Sequence, residues 1–299
     1  MKKKQSARPV KKAKITRKRV EKDDALPYVD WSPKDPSGYN EKWAARDTND
    51  ALAMMAGSRE FPEHLRIDEK DWKDCASDND KYGTWPVNYS SRYTNQSPTH
   101  ECTCHSLIQN FEIAWNRQQA SKNNPVWMSP LSVYAEANPR IRGGSYVMKV
   151  LEIAIARGIL PENNGPKGNG TQKDKFEHTL YQTAGNNGGK WVAVSNFPSG
   201  WRDTAKHFRP LEIFNITTWR EHVMAILQGY CVSNGRAGHA IPHVKIEWKG
   251  GKLHSMYRDS YDVDRYDSVN YIKKGVGGAF CIATTTIPDD WNNPTMNGL

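Results

Sequence analysis

The sequence predicts an α+β protein with its helices early and its strands late. Three observations carry that reading. Apolar residues recur at steps of three and four between residues 101 and 157, which is helical spacing. Strand-like segments crowd the stretch from Tyr230 to Thr286. Lys249-Gly250-Gly251, between two of those segments, is a hairpin turn signal.

Taken in order, residues 23–60 mix Pro, Asp, Trp and Tyr without a strong period, with a short helix expected over Asp47–Met55. Residues 61–100 are rich in Asp, Asn, Tyr and Ser, carry Pro62, Pro86 and Pro98, and read as loop with brief strands. The first strong helix begins near Glu101. Cys104, Leu107, Ile108, Phe111, Ala114 and Trp115 form its buried stripe, and Ser97 and Thr99 stand upstream as caps. A second helix is expected over Ser145–Arg157, with Val147, Leu151, Ala154 and Ile155 inward and Gly158 as its stop. Pro161–Gly189 is dominated by Asn, Gly and Lys and reads as a long loop. Thr218 and Glu221 have capping-box spacing and open a third helix that Gly229 closes. The expected strands are Tyr230–Ser233, His239–Trp248, Lys252–Tyr257 and Ala279–Thr286.

The formal charge of +9 on 299 residues belongs to one end of the chain. Lys2, Lys3, Lys4, Arg8, Lys11, Lys12, Lys14, Arg17, Lys18, Arg19 and Lys22 face a single acid, Glu21. Removing these from the totals of 42 basic and 33 acidic residues leaves 31 and 32, so the body is near neutral. Such a run repels itself, cannot bury a core, and is expected to be a disordered tail that binds nucleic acid, through its phosphates, or an acidic protein surface. No apolar run is long enough to span a membrane. No apolar segment follows the leading lysines, so no secretory signal peptide is expected, and the expected setting is the cytoplasm or a virion. The five Cys, at 75, 102, 104, 231 and 281, are expected to be thiols.

Three clusters carry chemistry. The densest contains Gln96, His100, Glu101, Cys102, Thr103, Cys104 and His105. A thiol in the first turn of a helix lies at the positive end of the helix dipole, which favours thiolate. Turns ahead of it can aim N–H groups at a developing oxyanion, with the Gln96 amide as a further donor. The same residues include zinc-ligand types, but the spacing is too tight for a chelating knuckle and no second Cys pair exists, so neither metal nor cofactor is expected. The second cluster is Gly235-Arg236-Ala237-Gly238-His239, which places an imidazole at the start of an apolar strand. The third is Arg258-Asp259-Ser260-Tyr261, where a carboxylate follows a strand and can fix the tautomer of a neighbouring His. Taken singly, these would read as a small buried Cys, a core His and a turn Asp.

In this order the three clusters resemble the papain family of cysteine peptidases. That family has an oxyanion-hole Gln six residues before its nucleophile, as Gln96 stands before Cys102, and a His more than a hundred residues downstream, as His239 stands. Its third member is an Asn in an Asn-Ser-Trp run, of which Asp259-Ser260-Tyr261 looks like a variant. Gly143-Gly144 resembles the glycines that bind substrate backbone there. The Gly-Ser-Cys-Trp context is missing, so Cys104 is the alternative nucleophile, and the Gln96 interval favours Cys102.

The resemblance implies a two-lobe fold with the active-site cleft between a helical lobe (61–205) and a β-barrel-like lobe (206–299), preceded by a basic tail (1–22) and an extension (23–60). It implies a Cys102-His239-Asp259 triad that hydrolyses peptide bonds of a peptide or protein through a thioester. The second reading is a structural or assembly protein of a phage virion or nucleoprotein particle that keeps this fold, because fold does not entail activity.

Overall fold

The computed structural model describes residues 58–90, 93–94, 96, 101–118, 126–137, 145–161, 200–236, 238–274 and 279–286. The basic run 1–22, nearly all of the extension 23–60, Ser97, Thr99, His100, Gly143, Gly144 and most of the expected loop at 161–189 lie outside the described residues.

The described strands are β1 (Ser58–Glu60), β2 (Pro210–Ile216), β3 (Val232–Arg236), β4 (His239–Lys249), β5 (Lys252–Asp259), β6 (Val263–Ser268) and β7 (Ala279–Thr285). They form one sheet in the order β1-β2-β7-β3-β4-β5-β6, parallel at β1–β2 and antiparallel elsewhere. The hairpin signal acts as expected: Lys249 pairs with Lys252 across Gly250-Gly251. The described helices are α1 (Trp72–Tyr82), α2 (Cys102–Gln118), α3 (Pro130–Ala137), α4 (Val147–Arg157), α5 (Trp201–Ala205), α6 (Trp219–Leu227) and α7 (Val269–Lys274).

Strand alternation divides the core into two layers. Ile213, Phe280 and Ile282 face a cluster built by Leu107, Ile108, Phe111 and Trp115 of α2 with residues of α3 and α4. Their neighbours Phe214 and Cys281 face a second cluster with Phe61, Trp72, Trp85, Val223 and Ile226. Helix α2 is buried on every side from Thr103 to Asn116, because sheet covers one flank and α3 and α4 cover the other. A polar side chain fastens it in place. Asn110 Nδ2 donates to Ser233 Oγ at 3.0 Å, and Asn110 Oδ1 accepts from the Ile282 N–H at 3.0 Å. One residue of α2 thus ties the helix to both β3 and β7.

Local signals explain several element ends. Thr218 Oγ1 accepts from the Glu221 N–H at 3.1 Å while Glu221 Oε2 accepts from the Thr218 N–H at 3.0 Å, the reciprocal capping box that the spacing predicts. Helix α4 stops at Gly158, whose φ is +82° and where a Cβ would stand 1.8 Å from the Ala205 carbonyl oxygen. Only glycine lets the chain pass there.

The structure departs from expectation over 61–100, where helix α1 and three short 3₁₀ segments replace loop and brief strands. Only Trp72, Ala76 and Asn79 of α1 are buried, too few apolar positions for its period to stand out. Strand β3 begins two residues later than expected and runs through Arg236, which pairs with His239 across the turn.

Candidate active site

Cys102 is the first residue of α2 and is partly exposed. Cys104, two positions on, is fully buried, and burial, with the Glu101 charge added, pushes its thiol well above the ordinary range. The register of the helix therefore presents one thiol outward and turns the other into the core.

His239 opens β4 directly after Gly238, whose φ of +75° makes the sharp entry from β3. Its Nε2 lies 3.0 Å from Asp259 Oδ1, and the ring also shares a hydrogen bond with Cys102. Burial alone pushes the imidazole down. The hydrogen bonds with Asp259 and Cys102, and their charges, outweigh it and hold His239 up at about 9. Asp259 closes β5, the strand beside β4, with its side chain only 3% exposed. Neighbouring strand ends thus supply an imidazole and a carboxylate, and the head of a helix supplies a thiol.

Each residue after Asp259 engages another part of the site. Ser260 Oγ donates to Gln96 Oε1, and the Ser260 carbonyl accepts from the Gln96 N–H at 2.9 Å. Gln96 Nε2 donates to the Tyr261 hydroxyl at 3.1 Å. The Tyr261 ring lies against the His239 ring, centroids 6.1 Å apart at 28°. The next residue back, Arg258, points to the other face, donating to Ser90 Oγ at 2.6 Å and covering the Tyr93 ring at 4.0 Å. Cys102, His239, Asp259 and Gln96 are thus linked in one connected set of contacts. Gly143 and Gly144 lie outside the described residues.

One contact escapes the sequence patterns. Arg265 of β6 brings Nε to 3.0 Å from Asp259 Oδ2, off the N–H axis and so an ion pair rather than a linear hydrogen bond. The signal available was an Arg shortly past the turn that ends β5, on a strand antiparallel to it. Among the described residues, no three His, Cys, Asp or Glu side chains gather as a metal-binding group, and no helix is long and apolar enough to cross a membrane.

The described architecture, a mainly antiparallel sheet that carries His239 and Asp259 and packs against the helix headed by Cys102, is the papain-like fold. It is similar to the cysteine protease and lectin-like domains of Cwp84, a surface layer associated protein of Clostridium difficile, at 14% identity and TM-score 0.50. That match covers 68% of this chain and 51% of the other, about half of its length. Xylellain, a cysteine protease from Xylella fastidiosa, matches at 13% identity and TM-score 0.48, over 64% of this chain and 82% of its own. Digestive procathepsin L 3 of Tenebrio molitor larval midgut matches at 10% and 0.45, over 67% of each chain. No family profile and no curated protein sequence matches this chain.

Proposed function

We propose that the protein is a cysteine peptidase with Cys102 as nucleophile, His239 as acid–base partner, Asp259 as the group that orients His239, and Gln96 as an oxyanion donor. The observation that carries this reading is the double engagement of His239, by Asp259 on one ring nitrogen and by Cys102 besides. A His held protonated up to about 9 carries, at neutral pH, the proton that a leaving amine needs.

In the proposed reaction the Cys102 sulfur attacks the peptide carbonyl and the oxygen takes up the electron pair. The Cys102 N–H, one of the orphan donors of the helix start, and Gln96 Nε2 stabilise that oxyanion. On collapse the C–N bond breaks and His239 gives its proton to the leaving amine. Water, deprotonated by the now neutral His239, then cleaves the thioester and frees the acid and Cys102. Gly143 and Gly144 are proposed to pair with substrate backbone. Hydrolysis of fluorogenic peptides by wild type, Cys102→Ala and His239→Ala tests the reading: both substitutions abolish turnover, and turnover surviving in a folded Cys102→Ala removes it.

The basic run at 2–22 favours a second role beside this chemistry, attachment to nucleic acid within a virion or other nucleoprotein particle.

A further inference from the structure

Asp259 lies between two cations. Its Oδ1 meets His239 Nε2 and its Oδ2 meets Arg265 Nε, each at 3.0 Å, with the carboxylate almost wholly shut off from water. Buried charge is costly unless it is paired, so a carboxylate here calls for compensation beyond the imidazole, which loses its own charge during turnover. Arg265 cannot lose its charge. It is anchored in β6, where it stands opposite Tyr257 in the ladder with β5, so the strand pairing that ends in Asp259 also sets the position of the guanidinium.

We infer that Arg265 is a positioning residue for the reaction, and that Asp259 and Arg265 act together as one nearly neutral hydrogen-bond acceptor for His239. Resting on the peptidase reading above, the inference adds a fifth member to the site. The two charges act on His239 with opposite sign. Asp259 favours imidazolium, and Arg265, standing behind it, withdraws part of that stabilisation. The groups facing His239 are the Cys102 thiol from α2, the Asp259 carboxylate from β5 and the Tyr261 ring; Arg265 acts through Asp259. The arrangement keeps the imidazole oriented without fixing its proton so firmly that it cannot be given to the leaving amine.

Opposed signs make the pair testable without a known substrate. The measurement is an NMR titration of the His239 ring in wild type, Arg265→Met, Asp259→Asn and the double variant, alongside the pH dependence of Cys102 alkylation by iodoacetamide. Arg265→Met leaves Asp259 to His239 alone and moves the His239 titration up by about one pH unit. Asp259→Asn leaves Arg265 uncompensated and moves it down by at least as much. The double variant, with a neutral acceptor and no cation behind it, returns between the two and regains most of the alkylation rate lost in Asp259→Asn. Arg265→Lys keeps the charge and holds the titration near wild type. A titration unmoved by Arg265→Met, or a double variant no better than Asp259→Asn, overturns the inference. If Cys102 in wild type shows no enhanced alkylation at any pH, the peptidase reading fails instead, while the titrations still decide whether Arg265 tunes His239.

Discussion

The Tyr261 ring lies against the His239 imidazole, centroids 6.1 Å apart, while the Tyr261 hydroxyl accepts a hydrogen bond from Gln96. One exposed side chain thus touches both His239 and Gln96. Tyr261→Ala removes both contacts, and is expected to lower kcat/KM by about tenfold or more. Tyr261→Phe keeps the ring and loses only the Gln96 contact, so it should be the milder change in peptide hydrolysis.

Activity should fall on the alkaline side as His239 loses its proton. With His239 held up at about 9, the basic limb of the rate profile is expected near that pH. Asp259→Ala should lower the rate less than His239→Ala does, because it loosens the base without removing it. Equal damage in a folded Asp259→Ala protein would deny it the supporting role.

Two histidines bend the stability profile in opposite directions. His239 binds its proton more tightly folded than at its ordinary 6.5, so its contribution is full below 6.5 and is lost as pH rises through about 9. His222 is wholly buried, its ring nitrogens have no hydrogen-bond partner among the described residues, and burial lowers it to about 3. There the unfolded chain takes up the proton first, so stability falls as pH drops from 6.5 towards 3. Urea midpoints at pH 4, 6.5 and 9 should peak at the middle value, and His222→Phe should flatten the acid side.

Asn110 joins α2 to β3 and β7 through fully buried hydrogen bonds. Asn110→Ala strands the Ile282 N–H and leaves a small void, and should cost about 2–4 kcal/mol in urea unfolding. A loss below about 1 kcal/mol would mean that water or the sheet re-pairs those groups.

The basic run tests separately from the chemistry. Deleting residues 1–22 should abolish binding to DNA or RNA and leave hydrolysis of a small peptide unchanged. Full-length affinity should drop steeply with salt, since each neutralised phosphate releases counterions. A truncated chain that binds as tightly, with the same salt slope, would remove nucleic-acid attachment through this segment.

What the sequence made legible was whatever had a strong local cause. The stripe from Cys104 to Trp115, the Thr218–Glu221 capping box and the Gly250-Gly251 turn each act within a few residues, and each element appears in place. Helix α1 was hidden because it buries only three residues. Strand β6 was hidden because Val263-Asp264-Arg265-Tyr266 lies at the sheet edge with little burial to impose alternation. In the site, Gln96, Cys102, His239 and Asp259 came from the resemblance of three clusters, in their order, to the papain family. The Arg265 contact depends on how β6 pairs with β5, a long-range fact that no spacing rule contains.

The central claim is that Cys102, and not Cys104, is the activated thiol. Mass spectrometry of the native protein after brief treatment with a thiol-reactive epoxide at about pH 5 tests it most directly, since only an activated thiolate reacts there. Cys102 is partly exposed beside His239, whereas Cys104 is fully buried with its thiol pushed well above the ordinary range. A single adduct on Cys102 is expected, lost in His239→Ala and unaffected by Cys104→Ala. An adduct on Cys104, or a Cys102 that reacts no faster than a free thiol at that pH, would contradict it.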